Sequence, residues 1–210
     1  MKDQNESVFD ERAAYWDEEP RRVKLAGDVA NAIIREINPT NDMDALEYGC
    51  GSGLVTLRIQ PFIKSITGVD SSKGMLDVLK AKVEKSGIKN IQTRFIDFEK
   101  GGKVEGNFNL IFSSMTLHHI NEPAQLLKQF YDLLLPGGYL GIADLDKEDG
   151  TYHSNNTGVH HFGFDRAYLK ELFKQVGFKE VRAVTATTVV KETEEKGKRD
   201  FPIFLIIGKK

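Results

Sequence analysis

Cysteine is nearly missing from this chain of 210 residues, with Cys50 the only one. No disulfide can form within the chain and no cysteine-built zinc site can exist, which fits a reducing, cytoplasmic setting. An excess of charge of one sign is missing as well. The 29 basic and 31 acidic side chains leave a formal net charge of −2, so no general field draws the chain to nucleic acid or to an anionic membrane. Nor does any apolar run approach the roughly 18 residues that cross a bilayer, and the opening MKDQNESVFDERAAYW is polar. A soluble protein with a small or neutral partner is expected. There is no long-period repeat and no low-complexity segment. A chain this long can bury roughly 70% of its unfolded surface in one core. The expected organisation is a single domain, 1–210, with 1–39 as an N-terminal helical cap and 40–210 as the core.

What is present is alternation. From Lys24 to Ile37 apolar residues recur at three and four, an amphipathic helix that Asn38-Pro39 stops. Short apolar segments then follow at Ala45 to Tyr48, Ile63 to Val69, Ile91 to Ile96, Phe108 to Phe112 and Tyr139 to Ala143, and read as strands. Helical patterns lie between them, clearest at Lys73 to Lys85 and Ala124 to Leu135, the second stopped by Pro136-Gly137-Gly138. Strand and helix in alternation imply an α/β fold with parallel strands, right-handed crossovers and helices on both faces. The end differs: a helix from Asp165 to Gln175, a strand from about Phe178 to Val189, the run KETEEKGKRD, then FPIFLIIG. Two strands with no helix between them form an antiparallel hairpin, and the charge run is expected to be its solvated loop. FPIFLIIG is open to two readings, a buried strand or a contact in a homodimer.

In an open parallel sheet, ligands bind beyond the carboxyl ends of the strands, closest to the first strand-to-helix turn. That turn is ALEYGCGSGL, with glycine at positions 49, 51 and 53. Alternate glycines permit backbone angles closed to other residues and clear side chains from a ligand's path. Asp70 stands at the end of the second strand, where a carboxylate can accept both ribose hydroxyls of an adenosine. A dinucleotide fingerprint would need glycine at position 54, but Leu54 is there. Glu47, two residues before Gly49, would repel a pyrophosphate and suit a positive charge. The expected ligand is therefore an adenosine that carries a cation.

With these residues the chain resembles the class I S-adenosylmethionine-dependent methyltransferases, from about Tyr15 to Gly208. An acidic residue followed by GxGxG is matched by Glu47 to Gly53, and the acidic end of strand two by Asp70. FNLIFSSMTLHHI resembles the fourth strand with its active-site loop, and LLLPGGYLGIADL the fifth. The resemblance implies a three-layer Rossmann-like sandwich, a seven-stranded sheet in the order 3-2-1-4-5-7-6 with strand 7 antiparallel. It implies S-adenosylmethionine as cofactor. Asp97 would face the adenine amino group and Phe98 would offer a backbone amide to the ring. Ser71 and Met75 would flank the adenine, although Ser71 also reads as a helix N-cap and Met75 as core packing. Gly49, Cys50, Gly51 and Ser114 would line the methionine portion. Cys50 reads as a small residue of the loop rather than a nucleophile.

Methyl transfer is an in-line displacement, so alignment of the partners is the protein's main task, and a base is needed only for a protonated acceptor. His118, by resemblance, faces the substrate, as a base or as part of its wall, with Asp144 at the tip of strand five lining the same cavity. His119 reads as structural. His160 and His161 are expected near the substrate, and no metal site is expected from the histidine spacings. In the appendage, Tyr15 and Trp16 are candidate lid residues over cofactor or substrate, with packing on the core as the other reading. Arg21 and Arg22 either bind a carboxylate or are solvated. SSMT stands where amine-methylating enzymes of nucleic acid carry Asn/Asp-Pro-Pro-aromatic, and there is no basic stripe, so a small-molecule acceptor is favoured. A protein or RNA methyltransferase, or a non-catalytic module that binds the cofactor to regulate a partner, are the alternatives. A nucleotide-dependent oxidoreductase is disfavoured by Leu54 and Glu47.

Overall fold

The computed structural model describes residues 9–96, 102–193 and 197–210. Helix α1 (Pro20–Ile37) begins one turn earlier than its apolar period, because Pro20 takes the first helical position and Glu19 caps it. It ends at Asn38, which adopts a left-handed conformation and returns its N–H to the Ile34 carbonyl. Strand β1 (Asp44–Tyr48) follows, then a short α2 (Thr56–Ile59), β2 (Ser65–Asp70), α3 (Lys73–Lys85) and β3 (Ile91–Phe95). The second half holds β4 (Phe108–Ser114), α4 (Pro123–Leu133), β5 (Leu134–Leu145), α5 (Arg166–Val176), β6 (Lys179–Thr193) and β7 (Gly197–Lys209). The seven strands form one sheet in the order β3-β2-β1-β4-β5-β7-β6. Strand β7 runs antiparallel to β5 and β6, and all other pairs are parallel. The order and the antiparallel seventh strand are those the resemblance implied.

The central strands are apolar throughout because each face is covered. In β7, Ile203, Leu205 and Ile207 join the core beneath α1, while Phe204 and Ile206 join the one beneath α4 and α5. All five are fully buried, each contributing about 1.5–3 kcal/mol of apolar burial. FPIFLIIG is thus a central strand of this sheet. Helix α1, expected within a cap, instead covers one face: Val29, Ala30, Ile33 and Ile37 are core residues. The 3-10 stretch Ala13–Glu18 ahead of it reaches the cavity through Trp16, and the first turns of α1 line it through Arg21, Arg22, Leu25 and Ala26.

Two local expectations change. Pro136-Gly137-Gly138 was expected to stop a helix, but α4 already ends at Leu133 and the tripeptide lies early in β5. There the β4–β5 register shifts and Gly137, at φ 81°, donates to the Lys210 carbonyl. The charge run KETEEKGKRD is strand on both sides of residues 194–196 rather than a solvated loop. Strand β5 pairs with β7 only as far as Ile203, whereas β6 pairs with β7 out to Thr193 and Gly197. The hairpin therefore runs on past the sheet as an arm, and charges on both of its faces suit a ribbon without covering helices.

Candidate functional site

The carboxyl ends of β1, β2 and β4 open onto a cavity of about 490 Å3. At one end sits the glycine loop. Its Gly49 and Cys50 amides donate to the Val69 carbonyl at 2.8 and 3.0 Å. Asp70 grips the loop from the other side: Oδ2 accepts from the Gly51 amide at 2.7 Å and Oδ1 from the Ser72 amide at 2.8 Å. The three glycines serve different ends. A Cβ at Gly49 would run into Thr116 and one at Gly53 into Leu79, so both are demanded by packing. Gly51, at φ 52°, would meet nothing within 4 Å, so its bareness opens the loop to a ligand. Glu47 is buried behind the loop with Oε2 accepting from the Thr56 hydroxyl. Burial, opposed by that hydroxyl and reinforced by the Asp70 charge, pushes its carboxyl up to about 8. Asp70 is likewise raised by burial, against the amides of Ser72, Gly51 and Ser71.

The rest of the cavity wall is assembled from distant segments. The N-terminal stretch is pinned across the edge of the sheet, since Asp10 accepts from the Ser72 hydroxyl at 2.5 Å and from the Gly74 amide at 2.8 Å. Asp17 accepts from the Ser52 hydroxyl at 2.5 Å and pairs with Lys82. Trp16 lines the cavity, and the Arg22 guanidinium lies 3.8 Å above its ring. From the hairpin arm, Lys191 reaches in and donates to the Tyr152 carbonyl. After β4 a 3-10 turn (Leu117–His119) presents two histidines. His118 Nδ1 lies 2.7 Å from Asp144 Oδ1, and its amide donates to Oδ2 at 3.1 Å. A carboxylate only accepts, so Nδ1 carries the proton of that bond, and whenever the ring is neutral the lone pair is on Nε2. That Nε2 is buried and has no hydrogen-bond partner among the described residues. Burial would raise the Asp144 carboxyl, but the His118 ring and the Leu145 and His118 amides outweigh it and hold it below its usual range. His119 and His153 are pushed down to about 4, by burial first and by the neighbouring histidines next, and are neutral at pH 7.

The Methyltransferase domain family matches residues 15–183. This chain belongs to the class I S-adenosylmethionine-dependent methyltransferases. An uncharacterized methyltransferase of Schizosaccharomyces pombe is 29% identical over 178 residues, 78% of this chain and 63% of its own length. A ubiquinone biosynthesis O-methyltransferase of Coxiella burnetii is 30% identical over 55% of this chain and 49% of its own length. The chain thus spans about half to two thirds of the curated relatives it matches. Among solved structures, a chain from the Haloferax volcanii complex with the Trm112 methyltransferase activator aligns at TM-score 0.76 and 16% identity, covering 100% of this chain and 98% of that one. Phosphoethanolamine N-methyltransferase 2 of Haemonchus contortus, solved with S-adenosyl-L-methionine, aligns at 0.68 and 17%, over 86% of this chain and 52% of its own.

The residues of this methyltransferase fit its cofactor. Gly51 leaves open space beside the loop, and the Asp70 carboxylate, with about four lone-pair sites against three amides, retains acceptor capacity for a ribose hydroxyl. A cation near Glu47 would favour its ionised form, whereas a pyrophosphate would oppose it. Cys50 is buried and its thiol is raised well above the ordinary range by burial first, so it has no thiolate chemistry to offer. Glu47, Gly49, Cys50, Gly51, Asp70, Ser71, Met75 and Ser114 all line the cavity, as do Trp16 and His118. Asp97 and Phe98 lie outside the described residues.

Four expectations are corrected. Tyr15 is 68% exposed and off the cavity, because the 3-10 stretch turns its neighbour Trp16 inward instead. His160 and His161 do not line it. The His161 ring nitrogen Nε2 lies 3.0 Å from the Ile120 carbonyl, and both backbone amides donate to the His118 carbonyl, so the pair braces the histidine turn from behind. Asp144 stands behind His118 rather than on the cavity wall. Ser72, not Ser71, caps α3, which leaves Ser71 at the cavity. His153, which follows strand five in a loop at the active edge, lines it as well, and sequence reading missed Arg12, Tyr152 and Lys191, which also line it. Only their positions in the assembled chain bring them there. Among the described residues, no three His, Cys, Asp or Glu side chains converge as a metal site.

Proposed function

We propose that this methyltransferase acts on a small molecule and methylates a hydroxyl oxygen, with His118 as general base and Asp144 as its positioning residue. The observation that carries this is the His118 ring, which lines the cavity, is locked on Asp144 through Nδ1 and keeps a buried Nε2 with no hydrogen-bond partner among the described residues. Glu47, Gly51, Asp70, Ser71, Met75 and Ser114 would hold S-adenosylmethionine. When bound, it supplies an electrophilic methyl group on a sulfonium. His118 Nε2 takes the acceptor's hydroxyl proton, and the buried Asp144 carboxylate stabilises the imidazolium that results. Trp16 and the pinned N-terminal stretch exclude water from that end of the cavity. The Coxiella burnetii relative, by its name an O-methyltransferase, supports an oxygen acceptor.

The test is methyl transfer to a panel of hydroxylated metabolites across pH. His118→Ala is expected to lower kcat by about 10²–10⁴-fold without changing cofactor affinity. Asp144→Asn should lower kcat and shift the pH profile. A His118→Ala enzyme with the wild-type rate and profile would sink the base assignment, and cofactor binding without turnover on any acceptor would favour the binding module.

A further inference from the structure

Acidic and basic side chains share the cavity wall. Glu47 and Asp70 stand at the glycine loop; Arg12, Arg21, Arg22 and Lys191 also line the cavity, with Glu19 the one further carboxylate. Glu19 is already committed, since Arg21 Nε lies 3.0 Å from its Oε1. Among the described residues, neither Arg22 nor Lys191 has a carboxylate within ion-pair distance. Glu148 and Glu19 act on Lys191 only through space, and Glu148 turns its Oε2 to the Thr151 and Tyr152 amides while its buried Oε1 has no hydrogen-bond partner among the described residues.

A half-buried cation without a counter-ion is costly unless something else meets its charge. Here burial pulls down the pKa of both side chains, and neighbouring arginines add to the effect on Lys191. Each rests on an aromatic face, Arg22 at 3.8 Å from the Trp16 centroid and Lys191 at 4.6 Å from that of Tyr152. Stacking satisfies the face of a guanidinium but not its edge, where the N–H donors match the two oxygens of a carboxylate or phosphate. The segments that carry Arg22 and Lys191 are far apart in sequence, so their approach is a product of the fold, at the end of the cavity that also holds His118. We infer that the acceptor is an anion whose carboxylate or phosphate is held by Arg22 and Lys191, with its hydroxyl toward His118. This rests on the reading of that end as the acceptor site.

The test uses the full chain saturated with S-adenosylhomocysteine, so that the cofactor's own carboxylate is already seated. Thermal midpoints are read with acetate, inorganic phosphate and 4-hydroxybenzoate, beside acetamide and 4-hydroxybenzamide as neutral matches, at constant ionic strength. The anions are expected to raise the midpoint by about 2–5 °C and the amides not to. The stronger of carboxylate and phosphate identifies the group. The double variant R22M/K191M should weaken anion binding by roughly tenfold or more, and R22K/K191R, which keeps both charges, should retain the preference. Circular dichroism of the unliganded variants checks that they fold. Equal shifts from anions and amides, including none from either, would overturn the inference, as would an anion effect that survives in R22M/K191M. A tenfold loss of S-adenosylhomocysteine affinity in that variant would overturn it too, because the cations would then serve the cofactor. None of these readouts depends on His118, so failure of the base assignment stays separate.

Discussion

Residues 47–75 supply most of one end of the cavity, whereas the other end is gathered from four segments spread between residues 9 and 191. The first is a local device: one strand, a glycine turn, a second strand and its carboxylate, tied by hydrogen bonds no more than 20 residues apart. The second exists only once the N-terminal stretch, the histidine turn, the loop after β5 and the hairpin arm have met. The local end is acidic and buried, the assembled end cationic and rich in rings. Two ways of building a site thus meet in one cavity, and each leaves a different signature under mutation and pH.

The largest effect should come from the local end. Gly51→Val places a branched side chain at φ 52° into the space a ligand would need, and is expected to reduce S-adenosylmethionine affinity by at least about 100-fold in calorimetry. Full affinity in that variant would break the assignment of this end to the cofactor. Glu47→Gln separates binding from folding. Because Glu47 is raised from 4.5 to about 8, the native protein holds a proton that the unfolded chain releases. Its contribution to stability is full below pH 4.5 and is lost as pH rises through 8. The glutamine variant should lack that loss, with a midpoint at pH 8 above wild type by roughly 2–4 °C per kcal/mol relieved, while binding the cationic cofactor more weakly. A midpoint unchanged at every pH would show that the carboxyl is not buried at a cost.

The assembled end should titrate in the opposite sense. His153 is lowered from 6.5 to about 4, so its contribution is present above pH 6.5 and lost as pH falls through 4. His153→Asn is expected to flatten the acid side of the midpoint-against-pH curve by roughly 2–4 °C, the smallest of these effects because the ring is partly exposed. An unaltered acid limb would remove His153 from the comparison.

The same division explains what the sequence disclosed. Strand–helix alternation, Glu47, the glycine turn and Asp70 were legible because the residues that cooperate there are close in the chain and their spacing is set by the turn itself. His118 was legible because it follows β4 directly, but its lock on Asp144, 26 residues away, depends on the β4–β5 pairing. Lys191 was hidden for a physical reason. In a run as charged as KETEEKGKRD, exposure looks like a loop, and only cross-strand pairing with Arg199 shows that Lys191 belongs to a ribbon. Tyr15 failed in the reverse way, since nothing in the pair Tyr15-Trp16 tells which ring a 3-10 turn will bury.

The hairpin arm has a consequence for how such an enzyme can change over generations. Beyond Phe201, which is still a core residue, the two strands pair with each other and not with β5, so substitutions there leave the seven-stranded frame undisturbed. The glycine turn has no such freedom, being wedged against Thr116 and Leu79. Substitutions along the exposed part of the ribbon can therefore alter the cavity through Lys191 at little cost to the sheet, while a side chain added at Gly49 or Gly53 has no room.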